Sequence, residues 1–553
     1  MRSDAFADVD AIFAAYHAQS PPMAPGVAYG VVVDGQLVHS GGFGVLRVGE
    51  AACPSAAGIF RIASMTKSFV ASTILLLRDE GVLRLDDTAE QWVPELRGLP
   101  LATGDSTPPT LRQLLSMSSG YPEDDPWADR LEPMPDDEYA ALMATPKTHA
   151  RTAGIAFDYS NLGFTLLGRV IQNATGQPYR SVISQRLLEP LGLSDTTWTA
   201  QHADVQRLAT GYALVDEAWV AQPVQEPGAF SALGGLYSTV ADLAVWVAGF
   251  LAAWPARDGD DGHPLCRASR RELQQVATML PLQITASGAG VLRAQAVGYC
   301  LGLMSSEDLT SGRTVGHSGG YPGFGSRMTW HPASGSGVIA LANGRYARPG
   351  DAVAEALAAL VAAAPRRATV APLPAAAALR ATIDAALIAG DLAPIEPLLA
   401  GNVDLDEALQ RRAAMVAGLA AQHGLLTPAA GETVLTPTQV VWWLEGERGR
   451  VGIELMLNPE QPPRIQKLAI TSVPAAGHAL AAAAERAVAD LTASDLAPAL
   501  TPVRSWSWVG GDGKETGAVR VEGPHLSVVL TIVLHDGTAD VAIQPDERWP
   551  TGA

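Results

Sequence analysis

In the stretch Arg61-Ile-Ala-Ser-Met-Thr-Lys-Ser-Phe69, Ser64 precedes Lys67 by three positions, just where a long apolar run begins. On a helix that spacing sets both side chains on one face, one turn apart. A lysine held in an apolar helix loses hydration, its pKa falls, and its neutral amine can accept the serine proton. The helix start adds the Ser64 backbone N–H, which has no preceding carbonyl to bond and is free for an oxyanion. The same two residues would also serve as an N-cap serine and a lysine reaching out to solvent. The chain has only four lysines, Lys67, Lys147, Lys467 and Lys514. A chance Ser-x-x-Lys is therefore roughly a one-in-five event at ordinary serine usage, and other segments must decide.

Two segments supply partners. Tyr159-Ser160-Asn161 stands where a β-like approach turns into an amphipathic helix, so a phenol able to relay protons and an amide able to hold a substrate carbonyl can point into one cleft. A packed tyrosine with an N-cap asparagine is the structural alternative. His317-Ser318-Gly319-Gly320 lies on a predicted strand. Its two glycines let backbone approach a ligand closely, and an N–H from this edge would complete an oxyanion hole opposite Ser64.

These groups need elements to hold them. Residues 26–44 read as a β-hairpin turning at Asp34-Gly35. Strand signals return in VGYCLGLM near residue 296, then in RTVGHSG, SRMTWHP and GVIALANG, with helices and loops between the two groups. The pattern predicts an α/β (α+β) sandwich, an antiparallel sheet built from both ends of the segment and flanked by helices, with a helical subdomain inserted. PRRATVAPLPAAAALR reads as a linker. The expected domains are 1–368, carrying the chemistry, then 369–474, an α+β accessory domain, and 475–553, a second small α+β or barrel-like unit that is either separate or continuous with the one before.

With 553 residues, 48% hydrophobic and 17% charged, the composition is globular and calls for more than one core. The net charge of -19 disfavours nucleic acid and anionic lipid and favours a cationic small substrate. The N-terminus has acidic residues where an export signal would have basic ones, and no run is apolar enough for a membrane helix, so a cytoplasmic protein without a membrane partner is expected. Cys53, Cys266 and Cys300 suggest neither a disulfide framework nor a zinc site and read as small buried hydrophobes.

The three motifs in this order resemble the serine β-lactamase and penicillin-binding-protein-like hydrolases, in the branch with class C β-lactamases, D-aminopeptidases and family VIII esterases. The resemblance covers residues 10–365 and extends to LRLDDT, LRQLLSMSSGYP, GGLYSTVADLAVW and GHSGGYPGFGSRM. It implies a β-lactamase/transpeptidase-like fold and no metal or cofactor. By position it makes Ser64 the acylated nucleophile, Lys67 its base, Tyr159 the proton shuttle and Asn161 a hydrogen-bonding positioner. The N–H groups of Ser64 and Gly320 would form the oxyanion hole, with His317, Ser318 and Gly319 along the substrate-binding strand. His317 stands where β-lactamases carry a lysine, which favours D-aminopeptidase-like or amino-acid amidase-like chemistry, with a carboxylesterase as the alternative. A β-lactamase or a catalytically silent binding protein ranks lower.

The segment YPEDDPWADRLEPMPDDEY carries eight acidic residues. A solvated surface loop is the ordinary outcome for such a run; a loop facing the cleft would attract a free amino group from a small-molecule or short-peptide substrate. Trp127 and Tyr121 are either lid aromatics or packing residues. Trp442, Trp443, Trp506 and Trp508 read as core residues before interface ones. The C-terminal region could shield the cleft or assemble the chain into a homo-oligomer.

Overall fold

Asp34 and Gly35 both have positive φ, 54° and 77°, the backbone of a tight hairpin turn, and join β1 (Gly26–Val33) to β2 (Gln36–Gly44). The computed structural model describes residues 4–286, 292–308, 312–363, 370–494, 496–500, 503, 505–523, 527–535 and 538–546. The chain divides into two compact units, Met1–Arg367 and Ala368–Ala553.

In the first unit the hairpin joins seven later strands, β3 (Thr278–Met279), β4 (Gln283–Ala286), β5 (Leu292–Tyr299), β6 (Met304–Asp308), β7 (Gly312–Tyr321), β8 (Phe324–His331) and β9 (Ser336–Ala342). All pairs are antiparallel, in the order β2-β1-β9-β8-β7-β6-β5-β3, with β4 also on β5. The sheet is thus built from both ends of the unit, as the sequence predicts. VGYCLGLM forms two strands rather than one: Gly302 takes φ 71° and Cys300 N–H bonds Leu303 O at 2.8 Å, turning the chain between β5 and β6.

The alternation of β9 explains the layers. Val338, Ala340 and Ala342 face one side, where they meet α1 (Asp4–His17) and, near the end of the unit, the helix Gly350–Ala363 through Val9, Phe13, Val353 and Leu357. Ile339 and Leu341 face the other side and join a larger core. That core takes in α2 (Thr66–Asp79), buried from Thr66 to Leu77, α3 (Asn161–Thr175) and α4 (Val240–Leu251). A helix buried all round cannot swivel without opening a cavity, so α2 is a rigid mount for what stands at its start.

Residues 365–369 of the expected linker lie outside the described residues, and its remainder leads into a helix, Pro374–Ala389. The second unit holds a five-stranded and a four-stranded sheet with separate cores. Trp442 is in the first of these cores and bonds Asp384, whereas Trp506 is 38% exposed. Cys300 is buried, but Cys53 and Cys266 are exposed free thiols, contrary to the expectation that all three are buried. Among the described residues no group of His, Cys, Asp and Glu is arranged to hold a metal ion, and no helix is long and apolar enough to cross a membrane.

Candidate active site

Phe60–Arg61 pairs with Tyr237–Ser238, and Ile62 N–H bonds Leu236 O at 2.9 Å, which carries the chain into a single 3-10 turn, Ala63–Met65, ahead of α2. Ser64 sits in that turn rather than in α2 itself. Ala63, just before it, has φ 48°, a strained conformation for a residue with a Cβ. Ala63 and Met65 are buried while Ser64 is partly open, so the turn presents the serine and hides its neighbours.

Lys67 Nζ lies 3.0 Å from Ser64 Oγ and donates to Asn161 Oδ1 at 2.7 Å and to the Leu233 carbonyl at 2.6 Å. Burial pulls its pKa down to about 8, against an opposing pull from Asp125, Asp129 and Asp124. Lys67 Nζ lies 5.1 Å from the centroid of the Tyr159 ring, and burial, helped by Asp125 and only partly offset by the neighbouring Ser64, raises the phenol pKa well above the ordinary value, so it keeps its proton. The three residues singled out for proton transfer are therefore in one cluster.

α3 is capped by Ser160, whose Oγ accepts from Gly163 N–H at 3.2 Å, and not by Asn161. The acidic segment supplies a second cap: Asp124 accepts from the Asn161 and Leu162 N–H groups at 2.7 and 2.8 Å. Asp125 accepts from Asn161 Nδ2. The Asn161 amide is thereby oriented, oxygen to Lys67 and nitrogen to Asp125, which commits one of its two N–H groups within the protein.

Half of the acidic segment is turned inward. Asp129 and Glu132 are buried, at 4% and 1% exposure, while Glu123, Asp136, Asp137 and Glu138 are exposed. Glu132 pairs with Arg61, itself 1% exposed, and accepts from Ser231 Oγ at 2.9 Å and Tyr321 OH at 2.6 Å. The Arg61 guanidinium lies over the Tyr321 ring, 3.8 Å from its centroid. Burial lifts the Asp129 carboxyl to about 6. A uniformly solvated loop is thus excluded. Tyr121 is buried and stacks on His149, while Trp127 is exposed and meets Phe230 edge-on.

The opposite wall is the end of β7. β6 pairs with β7 only from Gly312 to Gly316, leaving His317–Tyr321 paired on the β8 side alone. Gly319 runs against the nucleophile turn: a Cβ there would lie 2.3 Å from Ile62 O and 3.0 Å from Ala63 Cβ, so only glycine permits this approach. Ser318 is exposed beside it. His317 faces inward instead: Nδ1 is 2.5 Å from Ser318 O and Nε2 is 3.0 Å from Tyr299 OH. Nδ1 donates to the carbonyl and Nε2 accepts the phenol proton. Burial, reinforced by Lys67, pulls the imidazole down to about 3, so it is neutral. A direct substrate contact from His317 is not what this geometry offers.

The family model described as Beta-lactamase matches residues 10–363. The chain belongs to the Beta-lactamase family. The D-alanyl-D-alanine-carboxypeptidase/endopeptidase AmpH of Escherichia coli (strain K12) is 31% identical over 40% of this chain and 57% of its own length. The Protein flp of Staphylococcus aureus (strain MW2) is 27% identical over 58% of this chain and 59% of its own. The match thus spans less than two thirds of these relatives. Among solved structures, the octameric penicillin-binding protein homologue from Pyrococcus abyssi has TM-score 0.54 at 19% identity, covering 97% of this chain and 98% of its own. The D-alanine carboxypeptidase AmpC from Burkholderia cenocepacia has TM-score 0.50 at 20% identity, covering 64% and 99%. At these identities the two structures establish the fold, an antiparallel sheet flanked by helices.

Within this Beta-lactamase-family chain, sequence reading held the acidic run with Asp124, Asp125 and Glu132 only as an alternative that faces the cleft, and it missed Tyr299 and the pairing of Arg61 with Glu132. The acidic run was the signal for the carboxylates; nothing local marked Tyr299, because its partner stands on a neighbouring strand.

Proposed function

We propose that this chain is a serine hydrolase acting through a Ser64 acyl-enzyme on small amide or short-peptide substrates, in the manner of a D-aminopeptidase or amino-acid amidase. The observation that carries the reading is a buried lysine amine 3.0 Å from the hydroxyl of a serine open to the cleft.

The neutral amine of Lys67 takes the Ser64 proton as Oγ bonds to the substrate carbonyl carbon. The resulting oxyanion is stabilised by the N–H groups of Ser64 and Gly320. Tyr321 and Phe324 flank a two-residue turn, so strand alternation directs Gly320 and Ser318 toward the edge of β7 that β8 does not use. Tyr159, protonated and beside Lys67, passes a proton to the leaving amine and recovers one from the Lys67 ammonium. The C–N bond breaks and an ester to Ser64 remains. Water then loses a proton to the same pair as its oxygen bonds to the carbonyl carbon, and the pair returns that proton to Oγ as the C–Oγ bond breaks. Asn161 keeps the amine of Lys67 in line through Oδ1.

Two features support the substrate class. Asp125 and Asp129 act electrostatically on Lys67, so their field reaches the reacting serine and favours a substrate with a free amino group. The neutral His317 supplies no fixed positive charge for a substrate carboxylate. The name of the E. coli relative, a carboxypeptidase/endopeptidase, is in keeping with peptide substrates.

Treatment with a fluorophosphonate followed by mass spectrometry should find the adduct on Ser64; no adduct there removes the enzyme reading. Parallel assays with D-alanine p-nitroanilide and with p-nitrophenyl acetate and butyrate then separate amidase from esterase. Ester turnover without amide turnover makes the chain a carboxylesterase instead.

A further inference from the structure

Tyr346 is used by none of these steps, yet its backbone and its contacts are unusual. Its φ is 49°, left-handed and unfavourable for a bulky side chain. Packing enforces it. A Cβ on Gly344 would lie 2.1 Å from Met23 O, a Cβ on Gly325 would lie 1.9 Å from Ala347 O, and Tyr346 N–H bonds Tyr321 O at 3.2 Å. A conformation held from several sides in this way is a pointer to function.

The side chain is set on the cleft wall made by β7. Ring atom Cδ1 stands 2.9 Å from the position a Gly320 Cβ would take, so the ring rests on the residue assigned to the oxyanion hole. Its hydroxyl donates to Asp129 Oδ2 at 3.0 Å. Asp129 belongs to the opposite wall, anchored by the fully buried Ala128 on one side and the Glu132–Arg61 pair on the other. Burial, with Asp129 beside it, pushes the phenol up to about 12, so it stays a donor through the neutral range. One side chain, 37% exposed, therefore spans the two walls at the Gly320 end of the cleft.

We infer that the Tyr346–Asp129 bridge closes this end of the cleft and makes Tyr346 a specificity-determining residue, admitting substrates that are compact on the Gly320 side and excluding those extended past it. The inference rests on the acyl-transfer reading of Ser64. A closed end explains how a cleft could restrict an acyl-transfer enzyme to short substrates without any contact to the reacting atoms.

The test compares three neutral esters: p-nitrophenyl acetate, compact on both sides; p-nitrophenyl octanoate, extended on the acyl side; and octyl acetate, extended on the alcohol side. In Tyr346→Ala, kcat/KM for one elongated ester should rise at least tenfold relative to p-nitrophenyl acetate. Tyr346→Phe keeps the ring and loses the bond to Asp129, and should show a rise of at least threefold for the same ester. Ratios that stay within twofold of wild type for both elongated esters overturn the bridge as a specificity element. If Tyr346→Ala no longer turns over p-nitrophenyl acetate, the Tyr346→Phe ratios decide on the same criterion. Wild-type protein that neither hydrolyses any ester nor takes a fluorophosphonate on Ser64 refutes the acyl-transfer reading instead, a result distinct from unchanged selectivity.

Discussion

Lys67 bonds three oxygens, an arrangement suited to an ammonium, whereas the base that Ser64 requires is the neutral amine. Burial resolves the conflict by bringing the pKa to about 8. The neutral fraction grows as pH rises, so kcat/KM should climb from pH 6 through a midpoint near about 8 before levelling off. Asp125 is the largest of the carboxylate influences holding that value up. Asp125→Asn retains an oxygen for Asn161 and removes the charge, so the rising limb should move to lower pH. A limb that stays in place or moves up would show that another group controls it. Lys67→Ala should lower kcat/KM for an amide by about 10²–10⁴, the usual worth of a positioned base. Retained activity would refute its role.

At the scale of elements, the site depends on the nucleophile turn meeting an open strand end and an anchored acidic loop. Gly319→Ala would force a Cβ to within 2.3 Å of Ile62 O and Ser326 Oγ. Overpacking of this kind costs about 1–3 kcal/mol, and the displaced turn should lower labelling of Ser64 by a fluorophosphonate more than it lowers thermal stability. Glu132→Gln would leave the Arg61 charge buried without its counter-ion, a loss of about 3–5 kcal/mol by denaturant unfolding. A change below 1 kcal/mol would mean that Ser231 and Tyr321 suffice to hold the loop. These elements were unevenly legible. The hairpin at Asp34-Gly35, buried α2 and the strands from 312 to 342 follow from turn chemistry and apolar patterning. The division of VGYCLGLM and the short strands β3 and β4 do not, since each rests on pairing with a neighbour.

For the whole molecule, charge and fold act together. A net charge of -19, with carboxylates beside Lys67, should draw in a substrate bearing a free amine. Raising ionic strength from about 0.01 to 0.15 M shortens the screening length from roughly 30 to 8 Å. The kcat/KM for D-alanine p-nitroanilide should then fall while that for neutral p-nitrophenyl acetate holds steady, and parallel behaviour of the two would remove the electrostatic argument.

The sequence by itself determined the local chemistry: a serine and a lysine one turn apart at the head of an apolar helix, a tyrosine and asparagine at the start of another, and a glycine pair at a strand end. Each is set by residue type and by a spacing of a few positions, where backbone geometry leaves little choice. Tertiary structure decided which side chains meet across hundreds of positions. It turned Asp124, Asp125, Asp129 and Glu132 inward while leaving Glu123 and Asp136 in water, it gave both nitrogens of His317 to the protein, and it brought Tyr346 across to Asp129. The physical reason is that burial, desolvation and the partner of a buried polar group are properties of the packed chain, and no local pattern encodes the distance between residues 129 and 346.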